Sequence, residues 1–424
     1  MVQQIRNPLE ERYDSLRVVQ GSLKSASSDD PFIVKAMHLI LSYGAEARAS
    51  DIHIEPFDAG ARIRYRIDGM LHEMLRVPQE ISEPMTRAIK LKANMATDTV
   101  GRSKPQDSRL ELEHDNRKLD LRVSSFPTLH GDVITMRVLD RAAPRAGLEQ
   151  LGFAPDTLER FTRQLRRPNG MLLVTGPTNS GKTSTLYAAL EKLKSPHIKI
   201  ITLEDPIEYQ IDGIDQAQIN PQVGVTFASG LRAILRQDSN VILVGEIRDQ
   251  ETAEIAIRAA LTGHLVFSTL HARNAAGATA RLVEMQIEPH LIVTSLTGVV
   301  AQRLVRVLCP KCKVPDPGVG STFTRLWNQE TTLPCPDPAQ GSLSKGTGCR
   351  DCNLTGYKGR IGIYEFLVLN DDLKQLILER ASNQLHKASV VLGMRTMRID
   401  GLEKAYKGVT TIEEVLRVIG ETED

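Results

Sequence analysis

The segment Gly176-Pro-Thr-Asn-Ser-Gly181-Lys182-Thr183 restricts this chain more than any other. It fits the spacing G-x-x-x-x-G-K-T. It stands between an apolar run, Met171-Leu-Leu-Val-Thr175, and a helical pattern from Thr185 to Leu193. A glycine-rich turn that leads from a strand into a helix presents backbone N–H groups and a positive helix end, and together these surround phosphate oxygens. Gly176, Pro177, Thr178, Asn179, Ser180, Gly181, Lys182, Thr183 and Ser184 are therefore the expected nucleotide-binding residues. Lys182 is expected to bridge the β- and γ-phosphates and the Thr183 hydroxyl to ligate magnesium, so ATP and Mg2+ are the expected cofactors. The plain alternative is a glycine turn that only joins strand to helix, and the flanking pattern argues against it.

Around this turn lie further nearly continuous apolar runs: Ile198-Lys-Ile-Ile-Thr202, Val241-Ile-Leu-Val244 and Leu265-Val-Phe-Ser-Thr-Leu270. Helical segments separate them. Strands buried on both faces and alternating with helices predict an α/β fold with a parallel sheet covered by helices on each side. Two of the runs end in carboxylates. Val241 to Val244 leads to Glu246, and Lys199 to Leu203 leads to Glu204, Asp205 and Glu208. In open α/β sheets the ligand crevice lies at the carboxyl ends of the strands, so both acidic sets are expected at the nucleotide. A carboxylate there holds magnesium through water or orients the attacking water. Charges also end apolar strands for no functional reason, so each set counts only in combination with the loop.

The front of the chain follows another rhythm. Phe32, Ile33, Ala36, Met37, Leu39, Ile40 and Tyr43 share a helical face, and Pro84 to Met95 reads as a second helix. Asp51 to Glu55, Ala61 to Ile67, Arg109 to Leu112, Lys118 to Val123 and Val133 to Leu139 alternate apolar with polar residues, as half-buried strands do, and Asp68-Gly69 marks a hairpin. An α+β domain is expected here. The first 30 residues read as a polar tail ending in a Ser-rich linker, and Ala142 to Gly147 reads as a hinge.

Charge excludes little but discriminates. With 53 basic and 52 acidic residues, no overall field draws the chain to nucleic acid or to an anionic membrane. No signal peptide is evident, and no apolar stretch is long enough to span a bilayer. The best candidate, Leu291 to Leu308, is broken by Gln302, Arg303 and Arg306. A cytosolic protein without membrane insertion or direct nucleic-acid contact is expected. Four of the five cysteines form two CxxC pairs, Cys309/Cys312 and Cys349/Cys352. In a chain without an export signal this favours a closed, structural four-thiolate zinc site over disulfides, with Cys335 a bystander.

The segments ITLEDPIEY, LRAILRQDSNVILVGEIRD and TGHLVFSTLHARNAAGATARL resemble the Asp box, Walker B and His box of the secretion ATPase superfamily. ASDIHIEP, RYRIDGML, PQDSRL and RVSSFPTLHGD are similar to the second N-terminal domain of its type II secretion and type IV pilus assembly branch. The resemblance implies a PAS-like α+β domain over 31–141 and a hinge over 142–150. It further implies a RecA-like P-loop ATPase core over 151–305, a tetracysteine zinc subdomain over 306–365 and a helical subdomain over 366–424, with 1–30 as tail. It is to a short form that lacks the first N-terminal domain of many relatives.

By the same resemblance, six subunits form a ring whose ATP turnover works on a polytopic inner-membrane platform protein, the ring itself staying cytoplasmic and peripheral to that membrane. It implies Glu246 as the residue that activates water, Glu204 as the other candidate, and His271 rather than His264 as the histidine approaching the γ-phosphate. Arg109 and Arg122 correspond to N-terminal-domain arginines directed at phosphates; Arg232, Arg236, Arg248 and Arg281 correspond to arginines near the site or at subunit contacts. The chain departs from the family pattern at Asn179, where glycine is usual, at Ser239-Asn240 in place of Pro-Asp, and at Ser108 in place of glycine. The implied function is a motor that drives pseudopilus or type IV pilus assembly. A motor for competence or conjugative pili is the near alternative, and a catalytically idle nucleotide-binding scaffold the remote one.

Overall fold

The computed structural model describes residues 8–18, 27–98, 104–114, 117–140 and 146–420. Most of the Ser-rich linker and residues 142–145 of the expected hinge lie outside the described residues. The chain divides into two compact units. One comprises Met1–Pro144 with Thr347–Lys358, the other Arg145–Gly346 with Gly359–Asp424.

The first unit contains α1 (Pro8–Val18), α2 (Pro31–Glu46), β1 (Ala49–Phe57), β2 (Gly60–Ile67), β3 (Met70–Pro78), α3 (Gln79–Lys92), β4 (Gln106–His114), β5 (Arg117–Thr128) and β6 (Gly131–Asp140). The strands form one antiparallel sheet in the order β3-β2-β1-β6-β5-β4. Ile52, Ile54, Ile63, Tyr65, Leu121, Val123, Ile134 and Met136 point into a core shared with α2 and α3. The alternate positions carry Arg62, Arg64, Arg66, Arg122 and Arg137 on the other face, the pattern of a sheet buried on one side. Asp68 and Gly69 both take positive φ, as the hairpin between β2 and β3 requires.

Two elements differ from expectation. α1 lies where a tail was read: Leu9 and Tyr13 are buried in the core, with the Tyr13 ring 6.3 Å from that of Phe32. Its apolar stripe is only one residue wide among charges, too narrow to stand out in sequence. α3 begins at Gln79 and runs through Pro84, because Ile81, Met85, Ala88 and Ile89 bury one continuous face. That burial outweighs the single backbone hydrogen bond a proline forfeits.

The second unit begins with α4 (Pro155–Leu165), β7 (Gly170–Thr175), α5 (Lys182–Leu193), β8 (Ile200–Glu204), β9 (Asp215–Gln218), α6 (Phe227–Ile234) and β10 (Val241–Val244). It continues through α7 (Gln250–Leu261), β11 (Leu265–Leu270), α8 (Ala275–Glu284), α9 (Pro289–Ser295), β12 (Leu296–Leu308), β13 (Lys313–Pro315), α10 (Gly320–Glu330), β14 (Ser344–Gly346) and β15 (Tyr357–Val368). The last helices are α11 (Asp371–Leu378), α12 (Ser382–Val391), α13 (Met397–Tyr406) and α14 (Ile412–Ile419). A seven-stranded sheet runs β15-β12-β7-β11-β10-β8-β9, parallel from β12 to β9. Met171 and Leu173 join the core on one face, Leu172 and Val174 the core on the other. Burial on both faces is why these strands read as unbroken apolar runs.

The Leu291 to Leu308 stretch is a short helix followed by a sheet strand, and among the described residues no helix is long and apolar enough to cross a membrane. The segment between the cysteine pairs is more ordered than its Pro/Gly/Ser content suggested. Phe323, Leu326 and Trp327 of α10 pack with Ile399, Leu402 and Ile412 in a small core of their own.

Candidate nucleotide site

Four parallel strands end together. Leu173 of β7 pairs with Ser268 of β11, Ser268 with Val244 of β10, and Val244 with Leu203 of β8. Two residues further along, this register brings Thr175, Leu270, Glu246 and Asp205 to one edge of the sheet. The ladder continues past β10, since the Gly245 N–H donates to the Leu203 carbonyl (2.8 Å) and the Ile247 N–H to the Thr269 carbonyl (3.0 Å). Glu246 is thus held between two backbone hydrogen bonds.

The loop 176–181 leaves β7 and turns into α5. Gly176, Asn179 and Gly181 all have positive φ, at 150°, 64° and 87°. A Cβ on Gly176 would stand 2.6 Å from Ser180 Oγ, so glycine is demanded there by space as well. At Asn179 the left-handed conformation explains the departure from glycine, because asparagine tolerates it best among the other residues. The first-turn N–H groups of α5, from Lys182 to Ser184, have no helical acceptor. Ser180 Oγ is buried without a protein partner. Free donors at a helix start beside an orphaned hydroxyl fit phosphate oxygens. Lys182 Nζ donates to the carbonyls of Gly176 (2.8 Å) and Pro177 (3.0 Å), contacts for which a triphosphate would compete. Burial pushes the Lys182 pKa down, Glu246 pulls it back up, and Arg303 adds to the depression.

The two acidic candidates have different surroundings. The Glu204 carboxylate is buried and engaged by the Tyr187 hydroxyl, by Thr202 Oγ (2.6 Å) and by Gln216 Nε2 (3.2 Å). Burial first, and then Glu204 itself, raise the Tyr187 pKa, so Tyr187 stays a donor. Glu246 is partly open, accepts from Arg248, and has His271 Nε2 at 3.9 Å. Arg248 also reaches Asp205 at 3.7 Å.

His271 follows β11 at the crevice end. Its loop is pinned by Thr175, whose hydroxyl accepts from the Ala272 N–H (2.8 Å) and donates to the Leu270 carbonyl (2.9 Å), and by buried Glu365, which accepts from the Ala275 N–H (2.8 Å). Thr175 and Glu365 escaped the sequence reading; a threonine directly before the glycine turn was the available signal for the first. His264 precedes β11, at the opposite end of that strand and about 20 Å away at 3.3 Å per residue. Its Nδ1 lies 3.1 Å from the Ala259 carbonyl, a local structural contact.

Arg109 and Arg122 face each other across β4 and β5 in the first unit, and Arg122 is opposite Arg137, which donates to Asp51 (3.2 Å). Arg232 pairs with Glu251 and Arg281 with Glu284, while Arg236 donates to the Arg232 carbonyl. At the other departures, Asn240 Oδ1 accepts from the Lys199 N–H (2.8 Å), the Ser108 hydroxyl donates to the Ala93 carbonyl, and the Ser239 hydroxyl is buried.

The Cys349 and Cys352 sulfur atoms lie 3.7 Å apart. Thiolates at 2.3 Å from one zinc in tetrahedral array stand about 3.8 Å apart, so this CxxC turn has the spacing for the ion. Cys335 points to the Pro336 carbonyl.

Residues 26–417 match the family described as Type II/IV secretion system protein. The chain is 46% identical over 396 residues to the type II secretion system ATPase E of Vibrio cholerae serotype O1, covering 93% of this chain and 77% of that one. It is 43% identical over 392 residues to the type IV pilus assembly ATPase PilB of Myxococcus xanthus, covering 92% and 68%. The ATPase DotB of Legionella pneumophila shares the fold, with a TM-score of 0.67 and 21% identity over 93% of this chain and 96% of its own. The pilus retraction motor PilT with bound ADP aligns with a TM-score of 0.59 and 26% identity over 90% and 96%.

Proposed function

Because the chain belongs to the type II/IV secretion system protein family, among the secretion ATPases, we propose that it is a motor whose ATP hydrolysis drives pseudopilus or type IV pilus assembly. The observation that carries this is the meeting of the glycine turn, Lys182, Glu246 and His271 at the carboxyl edge of one parallel sheet.

In this reading the loop amides and Lys182 hold the β- and γ-phosphates, and Thr183 offers its hydroxyl to magnesium. The metal, when bound, neutralises charge that builds on the transferred phosphoryl group. Glu246 orients the attacking water. Its partial exposure and its neighbour His271 favour it over Glu204, whose carboxylate already takes three donors and so serves to hold β8 against α5 and β9. Arg109 and Arg122 are proposed as phosphate-directed arginines of a front domain over 31–141, coupling nucleotide state to domain position. The four cysteines are proposed to hold a structural zinc, the chain to act as a homohexamer, and a polytopic inner-membrane platform protein to be its partner.

Steady-state phosphate release from the full chain tests the reading. Wild type hydrolyses Mg·ATP; Glu246→Gln is slower by about 100-fold with nucleotide affinity kept. Arg109→Ala also loses turnover while still binding. Wild-type rates in Glu246→Gln would overturn the assignment, and wild-type rates in Arg109→Ala would remove that arginine from the site.

A further inference from the structure

β12 passes directly beneath the glycine turn and places a polar side chain there, Gln302, that no motif in the sequence marks. It is 1% exposed, in a strand that is apolar from Gly298 to Ala301. A buried primary amide is costly unless both its ends are satisfied. Both are, and both by the nucleotide loop and its helix. Gln302 Nε2 donates to the Ser180 carbonyl at 2.7 Å, and Oε1 accepts from the Thr185 hydroxyl at 2.8 Å. The backbone of Gln302 presses on the loop as well, since its carbonyl oxygen would stand 2.5 Å from a Cβ on Gly176. The next residue holds the neighbouring loop: Arg303 Nη2 donates to the Arg273 carbonyl at 2.9 Å, two residues beyond His271.

The peptide between Ser180 and Gly181 is planar and trans, so its C=O and N–H point in opposite directions. Fixing the Ser180 carbonyl onto Gln302 aims the Gly181 N–H away from β12, toward the concave side of the loop where phosphate oxygens would sit. We propose that Gln302 is a positioning residue of the nucleotide site, which clamps the Ser180 carbonyl and the Thr185 hydroxyl and so presets the loop's amides for phosphate. The assignment rests on the nucleotide-site reading above and concerns what shapes that site, not what reacts in it.

A preset cradle serves ATP, ADP and the transition state alike, so losing it weakens ground-state binding and leaves the chemical step nearly untouched. Two variants separate the contacts. Gln302→Leu removes both. Gln302→Glu keeps the shape and still accepts from Thr185, but sets a carboxylate oxygen against the Ser180 carbonyl, which disfavours the aimed peptide. Calorimetric titration of the full chain with Mg·ADP, paired with ATPase kinetics and with melting in the absence of nucleotide, reads the result. The clamp predicts a Kd for Mg·ADP and a KM for ATP raised by roughly tenfold to a hundredfold in both variants, with kcat within a few-fold of wild type. Thr185→Val, which spares the Ser180 contact, shifts less. If Gln302→Leu is too unstable to assay, Gln302→Glu decides alone. A folded Gln302→Glu with wild-type Mg·ADP affinity overturns the clamp, as does a fall in kcat at unchanged affinity. Wild-type chain that binds neither Mg·ADP nor Mg·ATP takes down the site reading instead, so the two failures are distinct.

Discussion

At the residue scale, the site depends on a few backbone conformations and a few hydrogen-bonded side chains. Asn179 sits at φ 64°. Glycine there costs nothing in strain, whereas a β-branched residue pays about 1–2 kcal/mol for the left-handed conformation. Asn179→Gly is expected to bind Mg·ATP as wild type does, and Asn179→Val about tenfold more weakly, measured by titration of each folded variant; equal binding in the Val variant would show that the loop tolerates another shape. The glycines, Lys182 and Thr183 stand out in sequence because the spacing proposed for a phosphate loop is fixed, and Glu246 stands out because it follows a buried strand. What sequence could not rank was Glu246 against Glu204, since the difference lies in tertiary partners: Tyr187, Thr202 and Gln216 come from α5, β8 and β9 to engage only the second.

At the scale of elements, β12 ties the glycine turn to the C-terminal helices. Its Arg306 donates through both the backbone N–H (3.0 Å) and Nη2 (2.7 Å) to Glu414 of α14, which also receives Arg417. Burial alone would raise the Glu414 pKa, but the hydrogen bonds from Arg417 and Arg306 outweigh it and hold the carboxyl below the usual glutamate value. A depressed folded-state pKa contributes stability that is fully present above the unfolded value of about 4.3 and is lost as pH falls through the folded one. Urea unfolding of wild type against Glu414→Gln should show a gap of about 3 kcal/mol near neutral pH, shrinking toward pH 3. A gap that does not change with pH would mean that Glu414 acts by packing alone. The cysteine cluster belongs to this scale too. One zinc per chain is expected by elemental analysis, and Cys309→Ser with Cys349→Ser should abolish it and lower the melting temperature; a native protein without zinc would refute the site. Element type was readable wherever burial was two-sided or strictly alternating. It failed where tertiary contact overrode local pattern, as in α1 and in polar β9, which joins the sheet by pairing with β8; in α3 the type was readable and only its start, five residues before Pro84, was not.

At the scale of the whole molecule, the two units carry different sheets for different reasons. The first buries one face of an antiparallel sheet and leaves arginines on the other; the second buries both faces of a largely parallel sheet and so must place its polar chemistry at strand ends. That contrast was visible in the change of rhythm along the chain, from alternation to unbroken apolar runs. The inclusion of residues 347–358 in the first unit was not, because nothing local in a Cys/Gly-rich stretch marks which body it joins. The account as a whole depends on a triphosphate held by the loop before Lys182. Isothermal titration of the full-length chain with magnesium and a non-hydrolysable ATP analogue measures this directly. The prediction is one site per chain in wild type and none detectable in Lys182→Ala; no binding by the folded wild type, or equal binding by the variant, would contradict it.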